Sequence, residues 1–290
     1  SYYAGKMREY LIYTSAGEDA NVKVWASSKT RNYDIWVTNY TDQPGLNSEY
    51  ADFYNEHAGT KIPNLYKVFL THKDHLQQYK AIMVADDDVL ISPRWLSHLF
   101  KLSTERDLWM LQPAFSRFGR ISHPLTARKL NSELRFVNFV EITCPIFRTE
   151  KLLEFLSIYT TDMPTIVGID YWLPYFFGIE NEDKYAISDR FYCINPRDQF
   201  KRHHTHVIDK ISSPDTRTTM IATTLKSLGI RQFQYQEYAN VPRPFIKRLT
   251  ALPVFLVELC FAWVWSNGAK IARLLHLVNN QDVGDTRVSL

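Results

Sequence analysis

Cysteine is scarce in this sequence: Cys144, Cys193 and Cys260 are the only three in 290 residues. Their wide spacing makes neither a zinc cluster nor a disulfide framework, so a reducing compartment is expected. Charge of one sign is also lacking. Lys and Arg total 34 against 31 Asp and Glu, and the net charge of +3 is too small to argue for a nucleic-acid partner. Glycine is sparse, and no Gly-rich Walker loop of the kind that cradles phosphates occurs. There is no internal repeat or low-complexity tract. No signal-peptide pattern opens the chain, so a cytoplasmic protein is expected, with peripheral membrane contact left open. The mostly apolar stretch Leu249 to Trp265 holds Pro253 and Glu258 and falls short of the ~20 residues that span a bilayer.

Aromatic residues are plentiful, with 17 Tyr, 17 Phe and 7 Trp, and a sizeable core is possible. One apolar run, Tyr79 to Ala85, reads as a strand buried on both faces. Asp86, Asp87 and Asp88 follow it directly, and Ser92-Pro93 then reads as a helix N-cap with proline at the first helical position. The acidic triplet therefore belongs at the carboxyl edge of an α/β sheet, where such sheets bind ligands. Strand alternation would point Asp86 and Asp88 one way and Asp87 the other. Paired hard oxygen ligands suit Mg²⁺ or Mn²⁺, which takes one or two carboxylates and fills its shell with substrate phosphates. The competing reading is a solvated acidic loop facing the N-terminus of the next helix.

The remaining pattern agrees with an α/β sheet. Glu9 to Thr14 and Tyr33 to Tyr40 read as strands, Asn21 to Ser27 and Asn64 to Tyr79 as helices, with a turn at Ser15 to Asp19. This β-α-β-loop-α-β order predicts a Rossmann-type parallel nucleotide-binding sheet. After the triplet the pattern turns mixed. Pro93 to Leu102, Glu150 to Tyr159 and Tyr171 to Phe177 read as helices, and Leu108 to Ala114, Val137 to Phe147 and Tyr185 to Asn195 as strands. A main domain over 7–240 and a helical appendage over 241–290 are expected. In the appendage, Trp263, Trp265, Lys270 and Arg273 suit an interfacial membrane helix, while a packed helical pair or a homodimer contact is the plainer reading.

The motifs resemble a known group. Gly59-Thr60-Lys61 through Leu70, the run Tyr79 to Asp88, Leu111-Gln112-Pro113-Ala114 and His123 to Arg128 look like the domain-of-unknown-function 707 family of plants and bacteria. Phe139-Val140-Glu141-Ile142, Pro145-Ile146-Phe147 and Gly168-Ile169-Asp170 continue the likeness in the same order. It spans Gly59 to Asn195, about half of the chain. The resemblance implies a GT-A-like nucleotide-sugar transferase domain. The family carries a histidine after its last strand, at about the place of Cys193-Ile194-Asn195-Pro196 here. The resemblance thus leaves the third metal position, beside Asp86 and Asp88, to Asn195 or to His203, His204 or His206.

Such an enzyme must bind a base, hold a diphosphate and place an acceptor hydroxyl. Thr14, Ser15, Ala16 and Gly17 would let backbone approach the nucleotide, unless they form an ordinary turn. Asn39 and Asp42 are candidates for a uracil or ribose edge, with Asp42 equally a turn former. Lys61, Lys67 and Asp87 are candidate contacts at the diphosphate, and Arg128, in the same loop as His123, a candidate clamp on sugar or phosphate oxygens. Asp170 is the expected catalytic base, chiefly from the resemblance, with an N-cap role as the alternative. Glu141 is its rival, because a carboxylate inside an apolar strand needs a reason: catalysis, substrate or a buried partner in Arg128 or Arg135.

The leading expectation is a metal-dependent glycosyltransferase that moves a sugar from a nucleotide-diphosphate sugar, UDP before GDP, to a glycan or glycoconjugate, with inversion. The alternatives are a Mg²⁺-dependent nucleotidyltransferase or phosphohydrolase, and a sugar-binding module without turnover.

Overall fold

The computed structural model describes residues 7–160, 168–197 and 213–281. Expectations that fall on His203, His204 and His206 lie outside the described residues. The chain divides into two compact units, Ser1–Arg243 and Pro244–Leu290.

The first unit is built on one nine-stranded sheet in the order β3-β2-β1-β4-β7-β5-β8-β6-β9. Strands β1 (Tyr10–Ala16), β2 (Tyr33–Asn39), β3 (Phe53–Glu56) and β4 (Ala81–Asp86) are parallel neighbours. Strand β7 (Ile146–Arg148) runs antiparallel between β4 and β5 (Met110–Phe115), and there the sheet changes from parallel to mixed. Beyond it, β8 (Tyr185–Cys193) is parallel to β5, while β6 (Ser132–Val137) runs antiparallel to both β8 and β9 (Glu237–Pro242). The α/β class with a mixed second half is as expected.

Helices cover both faces, which is why β1, β2 and most of β4 are buried throughout. Leu11, Tyr13, Ile82 and Val84 pack on one face with Leu65, Val68 and Phe69 of α2 (Lys61–Leu76) and Leu152 and Phe155 of α4 (Thr149–Ile158). Their neighbours Tyr10, Ile12, Ala81 and Met83 face the other way, against Trp25 of α1 (Val22–Ala26) and Leu96, Leu99 and Phe100 of α3 (Pro93–Glu105). Each fully buried Leu, Ile or Phe stabilises by about 1.5–3 kcal/mol. As expected, α3 is capped by Ser92, whose hydroxyl accepts from the Trp95 N–H at 3.3 Å.

Several boundaries differ from the sequence reading. Ser15 and Ala16, expected in a turn, continue β1. Helix α2 starts at Lys61 rather than Asn64, since Pro63 is tolerated in a first turn. Asn64 is buried inside it, and its amide donates to the carbonyls of His57 and Gly59 at 3.0 and 3.2 Å, closing the preceding loop. Val137 to Phe147 is not one strand. It splits into the end of β6, an irregular crossing at 138–145, and β7. The short edge strand β3, the strand β9 and the helix Pro214–Ser227 were not anticipated.

Among its described residues, the second unit is one helix, Phe245–Gln281, rather than the expected pair. Among the described residues, no helix is long and apolar enough to cross a membrane.

Candidate active site

The acidic triplet ends β4 at the carboxyl edge of the parallel strands. Only Asp86 belongs to the strand. Asp87 and Asp88 form a turn, so the expected strand alternation stops at Asp86. The start of α1 clamps this turn. The Asn21 N–H donates to the Asp87 carbonyl and its side-chain amide to the Asp88 carbonyl, both at 2.6 Å. The Asp87 carboxylate accepts the Gly17 N–H at 2.7 Å. Asp87, expected at the donor, thus ties the loop after β1 to the loop after β4.

Lys61 enters from the first turn of α2. Its ammonium lies 2.6 Å from Asp86 Oδ1 and donates to the Ile142 carbonyl at 2.6 Å. One cation therefore joins the end of β4 to the crossing segment that carries Glu141. Lys67 lies exposed on the same helix, about 9 Å further from the edge at the rise of an α-helix.

Glu141 and Asp170 complete the cluster. Glu141 is buried, and its carboxylate accepts the Thr143 hydroxyl at 2.8 Å and the Thr126 hydroxyl at 3.5 Å. Burial, reinforced by the negative charge of Asp170, pushes the Glu141 carboxyl up to about 7. Asp170 sits in the first turn of α5 (Ile169–Phe177), where the helix dipole favours an anion. The cap itself is Gly168, held at φ +97°, a conformation that favours glycine. Burial raises the Asp170 carboxyl to about 6, against hydrogen bonds from its own and the Ile142 N–H and the nearby charge of Lys61.

The expected partners of Glu141 are engaged elsewhere. Arg135 and Asp189, both fully buried, pair at 2.7 Å, and Arg135 also donates to the carbonyls of Leu125 and Ala127. Arg128 is buried with its guanidinium 3.8 Å from the Tyr192 ring centroid, a cation–π position.

On the nucleotide side, Thr14, Ser15 and Ala16 are buried, and Ser15 Oγ accepts from the Asn64 amide at 3.2 Å. The missing side chain of Gly17 makes room for the Tyr40 ring. Burial and the charges of Asp87, Asp88, Asp19 and Asp86 push the Tyr40 phenol up. Asn39 uses its side chain to order the next turn, accepting from Thr41 at 2.9 Å and donating to the Gln43 carbonyl at 2.7 Å. Asp42 is exposed in that turn.

Asn195 comes close to the triplet because Leu90 and Ile194 form an antiparallel bridge, with N···O distances of 2.9 and 3.0 Å. Its carbonyl accepts the Arg120 N–H at 2.7 Å. Among the described residues, no three His, Cys, Asp or Glu side chains converge on a closed metal site. The hard, half-exposed carboxylate donors of Asp86 and Asp88 fit an open Mg²⁺ or Mn²⁺ site instead, which keeps most of its shell for water and phosphate.

Sequence reasoning missed Thr126, Thr143, Tyr40 and Arg120. The exposed Arg120 sends its charge toward both Glu141 and His123. None of them carries a local sequence signal, since each reaches the site through a loop. Burial and Arg120 lower the His123 imidazole to about 4, so it is neutral near pH 7.

No family model matches this chain, and no curated protein matches it. Structures of TarS from S. aureus are similar. TarS 1-349 in complex with UDP-GlcNAc aligns at 12% identity over 76% of this chain and 72% of that one, with a TM-score of 0.46. A further TarS structure aligns at 12% identity over 75% of this chain and 43% of that one, with a TM-score of 0.47. TarS 1-349 in complex with UDP gives 12% identity over 76% and 71%, with a TM-score of 0.41. At these values the likeness assigns no role to any residue.

Proposed function

We propose that this chain is a metal-dependent, inverting glycosyltransferase that uses a UDP-sugar as donor and a glycan or glycoconjugate as acceptor. The observation that carries this reading is the meeting of Asp86, Lys61, Asp170 and Glu141 at the carboxyl edge, where parallel strands give way to mixed ones. The GT-A-like order, a nucleotide half followed by a carboxylate-bearing half, supports it.

Asp86 and Asp88, with Asn195 nearby, would hold Mn²⁺ or Mg²⁺, which would neutralise charge on the leaving diphosphate. Lys61 adds a fixed positive charge at the same point. Asp170 removes the proton of the acceptor hydroxyl. That oxygen bonds to the anomeric carbon as the bond from this carbon to the diphosphate breaks, and the bonding pair leaves on UDP. A carboxyl near 6 is mostly ionised at pH 7, which suits Asp170 as base better than Glu141 near 7.

The test is product analysis with candidate UDP-sugars in Mn²⁺. Release of UDP supports the reading. Release of inorganic phosphate would assign a phosphohydrolase, and sugar binding without UDP release a binding module.

A further inference from the structure

Beside Asp170 and Glu141 stands a wall of five aromatic rings brought together from separate segments. Phe139 lies two residues before Glu141, Tyr171 follows Asp170, and His123 comes from the loop after β5. Phe233 and Tyr235 precede β9. The Phe139 and Tyr171 ring centroids are 5.1 Å apart, Tyr171 and Phe233 4.8 Å, and Phe139 and Tyr235 5.2 Å. The Tyr235 hydroxyl lies 2.6 Å from His123 Nδ1 and 3.2 Å from the Tyr171 hydroxyl. Burial raises the phenols of Tyr171 and Tyr235, and the charges of Asp170 and Glu141 raise them further, so both rings stand in the field of the carboxylates.

The stretch around Tyr235 is irregular and mostly exposed, and such a segment gains little from being ordered. Asn138 orders it nonetheless. Its side-chain amide donates to the Gln234 carbonyl and its side-chain oxygen accepts the Gln236 N–H, both at 2.8 Å. Its own N–H donates to the Gln236 carbonyl at 3.2 Å. Between these anchors Tyr235 keeps 37% of its surface exposed. A rigidly held, solvent-facing tyrosine beside two carboxylates is a binding platform rather than core packing.

The sheet says which substrate it serves. Asp86 ends β4 of the parallel half, whereas Phe139 and Tyr235 adjoin β6 and β9 at the far edge of the mixed half. A molecule touching both the rings and Asp170 is therefore the acceptor, not the nucleotide. A pyranose has a face of C–H groups for an aromatic ring and a rim of hydroxyls for carboxylates.

Resting on the glycosyl-transfer reading, we propose that Tyr235 and Phe233, backed by Tyr171, Phe139 and His123, form an acceptor subsite that stacks on the apolar face of a pyranose and turns one of its hydroxyls toward Asp170.

Saturation-transfer NMR on the full chain with UDP and Mn²⁺ tests this. The probes are methyl α- and β-pyranosides of glucose, galactose, mannose and N-acetylglucosamine. Transfer to the C–H protons of one sugar face is expected for at least one glycoside. Tyr235→Leu keeps apolar volume without the ring and should weaken that binding about tenfold, while Tyr235→Phe retains most of it. Leu70→Ala, on the exposed face of α2, should bind as wild type. No transfer to any glycoside, or unchanged binding in Tyr235→Leu, would overturn the subsite. So would loss of transfer to the uracil protons in Tyr235→Leu, since the rings would then hold the donor. A wild-type chain that neither binds UDP nor releases it from any UDP-sugar would instead sink the glycosyl-transfer reading, whatever the glycosides do.

Discussion

The Lys61 ammonium sits 2.6 Å from Asp86 Oδ1 while donating to the carbonyl of Ile142 at the same distance. This ties the nucleotide half of the sheet to the segment bearing Glu141, and it puts a positive charge where a diphosphate would leave. Lys61→Met should lower the turnover of UDP release by about 10²–10³-fold, the usual loss for one preorganised electrostatic contact. Steady-state kinetics with a UDP-sugar checks this. Turnover within twofold or so of wild type would remove Lys61 from the reaction.

Asp170 carries the proton transfer. The rate should rise with pH through about 6, where this carboxyl ionises, and then level off. Its coupling to Glu141 makes the apparent midpoint a property of the pair. Asp170→Asn should keep UDP affinity while transfer collapses. Near-normal turnover in that variant would pass the role to Glu141.

Glu141 gives a prediction about stability. Its folded carboxyl, near 7, lies above the ordinary value near 4.3, so the folded chain holds a proton that the unfolded chain releases. Stability should therefore fall as pH rises between those values, by about 4 kcal/mol at most. Glu141→Gln removes this dependence. It should melt above wild type at pH 8 and close to it at pH 4, read by circular dichroism. A variant less stable than wild type at pH 8 would contradict the raised value.

The fully buried Arg135 and Asp189 fasten β6 to β8. Asp189→Ala leaves the buried guanidinium only the more distant Glu237 carboxylate, at 3.6 Å, and should cost about 3 kcal/mol. Urea unfolding measures it, and a loss below about 1 kcal/mol would show that Glu237 and the Leu125 and Ala127 carbonyls suffice.

The parallel half was legible in the sequence because its strands are continuous apolar runs with helical periods between them. Asp86 was legible for the same reason, lying at a strand end that the pattern marks, whereas the pattern placed Lys61 before the helix that it in fact begins. The mixed half was not. Apolar residues continue from Val137 to Phe147 through a crossing that is not extended, so the pattern suggested one strand where the chain leaves the sheet and returns. The settings of Arg128 and Gly17 were illegible for another reason. Their surroundings, the Tyr192 and Tyr40 rings, come from distant segments that no local pattern reveals. Tyr235 joins the ring cluster next to Tyr171 where Asn138, nearly a hundred positions earlier, fixes the backbone on either side of it.

Calorimetric titration of UDP into the full chain, with Mn²⁺ and then with excess EDTA, tests the central claim most directly. Wild type should bind UDP in Mn²⁺ and lose that binding in EDTA, and Asp88→Ala should fail to bind in either while remaining folded by circular dichroism. UDP binding of equal strength in EDTA, or in Asp88→Ala, would contradict a metal-held diphosphate at the end of β4.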